Sequence, residues 1–202
     1  MATLYLHIGH GKTGTSWIQS CFRSSVNELK KHDIVYAKGA DSYLANPNMI
    51  SSGNANSLLE SRSSFESNLA KSPIQNGNSL LFSSEDLFKQ ITEKNVQDFI
   101  EAVASDYGFD RIKILLFIRN PIRTVVSAWQ QRIKRLGFHH ISITDLHEHA
   151  GMCGGKVLRV ERLLDYVEKS HSIDLTVRNY SRCKDNLIGE VAQWLNVPEE
   201  IF

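Results

Sequence analysis

The sequence predicts an α/β fold in three layers, a mainly parallel sheet with helices on both faces. Three observations carry that prediction. Apolar runs of strand length alternate with longer stretches of helical periodicity along the chain. The runs are continuous rather than alternating, as they are in strands buried on both faces. The segments that follow three of them bring glycine, arginine and acidic residues to the carboxyl ends of strands, where open parallel sheets bind their ligands. The chain has 202 residues, 42% of them hydrophobic, which is enough for a sizeable core. No linker divides residues 1–202, so a single domain is expected.

The first strand is Thr3 to Ile8, which breaks into Gly9-His-Gly-Lys-Thr-Gly-Thr-Ser-Trp17 and then into a helical stretch, Thr15 to His32. Glycines in such a turn let successive backbone N–H groups converge, and a helix beginning there adds the positive end of its dipole, so the turn suits an anion. Lys12 would add a full positive charge, and Thr13, Thr15 and Ser16 hydroxyl donors. The spacing is not G-x-x-x-x-G-K-[ST], because no glycine stands at the required distance upstream of Lys12 and a glycine follows Thr13. Taken alone, the loop also reads as an ordinary anion nest.

Ile34 to Ala37 is a weak strand candidate. From Gly39 to Asn78 the composition shifts to Ser, Asn and Gly, punctuated by Pro47 and Pro73. Two readings stand there, short helices joined by surface loops or one wall of an acceptor pocket. Ser79 to Ser83 is the next strand and leads to Ser84-Glu85-Asp86-Leu87, a carboxylate pair at a strand end. Glu85 there is a candidate general base, or a first-turn carboxylate that complements a helix dipole. A helix over Glu93 to Tyr107 and a strand over Arg111 to Ile118 follow. The chain continues at once into Arg119-Asn-Pro-Ile-Arg-Thr-Val-Val-Ser127 and a helix over Ile122 to Leu136. Pro121 suits the first turn of that helix, where its missing N–H costs nothing. Arg119 thus stands at a strand end with Ser127 about two turns into the helix; a planar guanidinium there can make two charge-assisted bonds to a phosphate. By itself Arg119 reads more readily as a surface ion pair. Leu136 to Gly155 is irregular and holds His139, His140, His147, His149 and Cys153. His147 and His149 would not share a helical face and Gly151 and Gly154 would disrupt the helix, so no metal is expected. A helix over Val157 to Lys169, a strand over Ile173 to Val177 and a helix over Asp185 to Leu195 complete the pattern.

The formal net charge is +1, so general attraction to nucleic acid or to an anionic membrane is not expected and useful positive charge must be local. There is no apolar stretch of membrane-spanning length and no charged leader before a secretory apolar core. Cys21, Cys153 and Cys183 are odd in number and widely spaced, which suits a reducing compartment. A cytoplasmic protein is expected.

Gly11-Lys12-Thr13-Gly14-Thr15-Ser16-Trp17 resembles the loop with which sulfotransferases hold the 5′-phosphosulfate of 3′-phosphoadenosine 5′-phosphosulfate (PAPS). Arg119 and Ser127 have the spacing of the Arg and Ser with which that family grips the 3′-phosphate. The resemblance implies a P-loop NTPase-like sulfotransferase fold, with PAPS as donor co-substrate and no metal. It implies transfer of a sulfuryl group to a hydroxyl or amine acceptor, with a carbohydrate or a small metabolite as the suggested class. Lys12 would stabilise the leaving group, and Gly11, Thr13, Gly14, Thr15 and Ser16 would hold the 5′-phosphate. Trp17 occupies the place where related enzymes set a tryptophan against adenine; packing on the sheet is its other reading. Glu85 is the candidate base, as several carbohydrate and bacterial sulfotransferases use a glutamate, with His10 second because imidazole titrates near working pH. Ile173 to Tyr180, followed by Asn186 to Pro198, is similar to the family's late strand and helix, but many members add a basic, glycine-containing loop over the 3′-phosphate, and none follows Phe202. The domain is accordingly expected to be short, to use another segment there, or to lack a C-terminal piece. A P-loop small-molecule kinase and a non-catalytic nucleotide-binding module are the alternatives, and the oligomeric state is open.

Overall fold

The computed structural model describes residues 1–37, 53–55, 61–70, 77–136, 159–170 and 172–202. Five strands form one parallel sheet: β1 (Thr3–Gly9), β2 (Ile34–Tyr36), β3 (Ser79–Ser84), β4 (Arg111–Ile118) and β5 (Ile173–Asn179), in the order β2-β3-β1-β4-β5. β1 is central, with Leu6 opposite Phe82 of β3 and Ile114 of β4. The connection leaving β1 runs to one side of the sheet and the connection leaving β4 to the other. The β1/β4 boundary is therefore a topological switch point, where a crevice opens beyond the carboxyl ends.

The helices are α1 (Thr15–Ser24), α2 (Val26–Lys31), α3 (Arg62–Ala70), α4 (Glu85–Gln90), α5 (Lys94–Asp106), α6 (Pro121–Leu136), α7 (residues 159–169), α8 (Tyr180–Cys183) and α9 (Leu187–Leu195). The single helix expected over Thr15 to His32 is divided at Ser25, whose φ of −100° and ψ of 15° end α1 before α2 begins. The short helix α4 begins at Glu85, as the first-turn reading of that carboxylate expects; Ser84 caps it, its Oγ accepting from the Asp86 amide at 3.1 Å. Asn120 does the same for α6, Oδ1 accepting from the amides of Ile122 (3.0 Å) and Arg123 (3.3 Å), with Pro121 at the first helical position.

Period-two alternation along β1 divides the core. Leu4, Leu6 and Ile8 join Leu80, Phe82, Ile114 and Leu116 under α4, α5 and α7, through residues such as Leu87, Ile100 and Leu163. Tyr5 faces the other way, with Leu81, Leu115 and Phe117, under Ile18 and Phe22 of α1 and Val191 and Trp194 of α9. The sheet is covered on both faces, the three-layer arrangement expected of continuous apolar strands. The histidine and cysteine cluster between Leu136 and Gly155, and most of Gly39 to Asn78, lie outside the described residues. No helix among the described residues is long and apolar enough to cross a membrane.

Candidate functional site

After Gly9 the backbone turns through the left-handed region at Gly11 (φ 27°), Lys12 (φ 67°) and Gly14 (φ 75°), and α1 starts at once. Gly14 is the cap of α1 and no side chain caps it. The amides of Trp17 and Ile18 both reach the Gly14 carbonyl at 3.0 Å, so those of Thr15 and Ser16 lie ahead of the first intrahelical bond. Thr13 and Thr15 are 0% and 1% exposed, and their Oγ1 atoms meet no protein partner. A buried hydroxyl left in that state is costly, and two of them beside an uncapped helix start form a site with the donor chemistry of an anion cradle.

Glycine at position 9 is a packing requirement. A Cβ there would lie 2.4 Å from Thr15 Oγ1 and 2.9 Å from Glu85 Cγ. Two strand ends thereby deliver Thr15 and Glu85 to the same few ångströms. Glu85 is half-buried in the first turn of α4, while its neighbour Asp86 is taken up by an ion pair with Lys89.

Arg119 approaches from β4, on the other side of β1. Its Nη1 donates to the Lys12 carbonyl at 3.2 Å, which ties the two strand ends at the switch point into one unit. The guanidinium carbon sits 5.5 Å from the centre of the Tyr180 ring, and Nε is buried without a hydrogen-bond partner. Ser127 is half-buried on α6, about 9 Å along the axis from Pro121, and makes no hydrogen bond to the cradle among the described residues. Trp17 is 51% exposed, so it stands at the rim and does not pack on the sheet. His10 is 5% exposed and edge-on to Phe88, ring centres 5.2 Å apart.

Four further residues support the site. Tyr180, first residue of α8, reaches Arg119. Leu187 closes on Gly14, where a Cβ would lie 2.8 Å from its Cδ1. Asn54 holds the end of β3: its Nδ2 donates to the carbonyls of Ala37 (2.7 Å) and Leu81 (3.1 Å), and its Oδ1 accepts from the Ser83 amide (2.7 Å). Gln19 adds a bond from Nε2 to the Ser83 carbonyl at 3.3 Å. Tyr180 ends the stretch similar to the family's late strand, and Leu187 and Gln19 fall in expected helices, but their contacts depend on packing between distant segments.

His7, one turn of the pleat below the loop, is wholly buried among Phe22 and Phe117. Its Nδ1 is 2.7 Å from Ser83 Oγ, and burial pushes its pKa down to about 3. It is a neutral core residue with no path to chemistry at the crevice.

Among solved structures, the chain superposes on a sulfotransferase from Alicyclobacillus acidocaldarius with a TM-score of 0.53 over 98% of this chain and 83% of that one, at 13% identity. The chain has the sulfotransferase fold. A second structure with that fold, the sulfotransferase domain from the curacin biosynthetic pathway, matches with a TM-score of 0.50 at 10% identity, covering 98% of this chain and 75% of that one. No family model matches the sequence, and no curated protein matches it. At such identities the sulfotransferase fold rests on the backbone and on where its strand ends meet.

Proposed function

We propose that this chain is a sulfotransferase that takes the sulfuryl group of PAPS and passes it to a hydroxyl or amine of a small-molecule or carbohydrate acceptor. The observation that carries the reading is the meeting, at the switch point, of two sets of donors without protein partners. The uncapped start of α1, with the buried donors of Thr13 and Thr15, is joined through the Lys12 carbonyl to Arg119, whose Nε is buried and unpartnered. A nucleotide with phosphates at both the 5′ and 3′ positions matches two anion sites held at a fixed separation. Thr13, Gly14, Thr15 and Ser16 would hold the 5′-phosphate, with the Gly11 turn bringing the backbone close, and Arg119 with Ser127 the 3′-phosphate. Trp17, exposed at the rim, offers an aromatic face to the adenine.

In this reading the acceptor oxygen or nitrogen attacks sulfur as the bond from sulfur to the bridging phosphate oxygen breaks, and adenosine 3′,5′-bisphosphate leaves. Lys12 and the α1 amides stabilise the charge that develops on the bridging oxygen. Glu85 takes the proton from the acceptor; its stem already lies against Gly9 and Thr15, and it is more open than His10, which is buried beside Phe88. The proton ends on Glu85 and the sulfuryl group on the acceptor. Location in the cytoplasm and a single domain over residues 1–202 are part of the same proposal.

Thermal unfolding with adenosine 3′,5′-bisphosphate, compared with ATP plus magnesium, tests it. At about 100 times its Kd a ligand adds about 2.7 kcal/mol, so the bisphosphate should raise Tm clearly and ATP with magnesium should not. The reverse pattern would favour the kinase, and stabilisation by the bisphosphate without transfer from PAPS to any acceptor in a broad screen would favour a binding module.

A further inference from the structure

The turn between α4 and α5, with the flanks of α5 and α7, lines a cleft of about 410 Å³ that shares no residue with the crevice at the switch point. That volume lies in the range of small-molecule sites, roughly 300–1,000 Å³, and far exceeds the about 30 Å³ of a single water. Two hydroxyls of the lining, Thr92 Oγ1 and Tyr166 Oη, are buried without a well-formed hydrogen bond. Tyr166 is 7% exposed. Burial, and then the nearby Glu101 carboxylate, push its pKa up, so the phenol stays protonated and remains a donor. Thr92 sits in a fixed turn: the Glu93 amide donates to the Gln90 carbonyl at 2.8 Å, and Gln97 Nε2 donates to the Ile91 carbonyl at 3.0 Å. Buried polar groups as a rule have partners, and two exceptions on one cleft point to a ligand that supplies them.

The charges around the cleft narrow its chemistry. Lys94 is taken up by an ion pair with Asp98. What remains is balanced, Arg162 and Lys169 against Glu101 and Asp165, all exposed. An anion would face two carboxylates and a cation two basic groups. An ionised carboxylate or phosphate also only accepts hydrogen bonds, and an ammonium only donates. A hydroxyl does both, accepting from Tyr166 and donating to Glu101. Several hydroxyls on one neutral frame match the floor and the rim together. The rim side chains are long and exposed, so they can swing aside to admit a ligand to both buried atoms.

We propose that the cleft between α5 and α7 is a second binding site, for a neutral polyhydroxylated ligand of mono- or disaccharide size, held by Tyr166, Thr92 and Glu101. The inference does not depend on what the crevice binds. Amide NMR shifts of the full chain, titrated with glucose, galactose, N-acetylglucosamine, maltose and lactose up to about 100 mM to reach millimolar affinities, test it. At least one saccharide should move the amides of α5 and α7, with inorganic phosphate and glycine leaving them in place. Tyr166→Phe removes only an unsatisfied hydroxyl, so Tm should stay level or rise while saccharide affinity falls about tenfold. Thr92→Val keeps the shape and should weaken binding to a similar degree, giving a second reading if the first variant does not fold. The inference is overturned if none of the five sugars moves these amides, if their shifts map to the crevice instead, or if phosphate or glycine binds in their place. Undiminished saccharide binding in both variants overturns it as well, and so does a clear fall in Tm for Tyr166→Phe, which would show that the hydroxyl is already satisfied within the protein.

Discussion

Lys12 carries two demands that oppose each other. Its side chain is proposed to meet the leaving-group charge, yet its backbone is held at φ 67°, a left-handed conformation that costs a residue with a Cβ about 1–2 kcal/mol. Substitution separates the two. Lys12→Ala keeps the strain and should slow sulfuryl transfer by about 10²–10³-fold, with binding of adenosine 3′,5′-bisphosphate affected far less. Lys12→Gly should be as inactive but more stable than the alanine variant by about 1 kcal/mol, read from urea denaturation of the two proteins side by side. For Glu85→Gln the expected loss in transfer is about 10²–10⁴-fold with bisphosphate affinity unchanged; wild-type turnover in that variant would move the base to His10. Lys12 and Arg119 were legible because their loops announce themselves locally, by glycines and by the Arg-Asn-Pro step. The company they keep was not: the hydrogen bond from Arg119 to the Lys12 carbonyl depends on β4 lying beside β1, which no local pattern encodes.

At the scale of elements, the segment over Gly53, Asn54 and Ala55 acts as a clasp on the end of β3. Gly53 has φ 100° and makes an antiparallel bridge to Ser84, and a Cβ on it would fall 1.9 Å from the Ser83 carbonyl oxygen. Asn54 then supplies the bonds a neighbouring strand would have made, to Ala37, Leu81 and Ser83. Asn54→Ala takes the Asn54 side-chain bond from the Ala37 carbonyl and the Ser83 amide, while the Leu81 carbonyl keeps the Ala37 amide at 3.2 Å, so a loss of about 2–3 kcal/mol is expected in denaturant unfolding. Because Glu85 follows two residues after Ser83, that variant should also lose turnover beyond what its stability explains, measured at a temperature where it is fully folded. The strands themselves were readable to within two residues at each end, since their apolar runs are bounded by polar punctuation. The clasp was hidden inside a serine- and asparagine-rich stretch whose composition says only loop. The break of the first helix at Ser25 was hidden as well, because periodicity persists across it while one residue's dihedrals do not.

For the whole molecule, the buried imidazole of His7 couples stability to pH. Its pKa is about 3 when folded and near 6.5 in the unfolded chain. The unfolded state therefore binds the extra proton between those values. Stability is fully present above about pH 6.5 and falls on acidification, by up to about 1.4 kcal/mol per pH unit, levelling off below about pH 3. His7→Gln should be less stable at neutral pH, having lost its fit beside Ser83, but should shed this part of the slope, visible as a flatter Tm profile from pH 7 to 5. Layering and parallel pairing followed from alternating apolar and helical segments, whereas the strand order β2-β3-β1-β4-β5 is a property of packing between distant segments.

That order bears on how the protein matures. β1, which begins the chain, finds its partners only when β3 and β4 have been made, with Thr3 opposite Arg111. The contact between the Lys12 carbonyl and Arg119 spans 107 residues, so it closes a long loop, and long loops are slow to close. The proposed recognition of the bisphosphate would consequently be acquired late on the folding route. The nucleotide should slow unfolding much more than it speeds refolding, and a nascent chain should remain blind to it until β4 has cleared the ribosome.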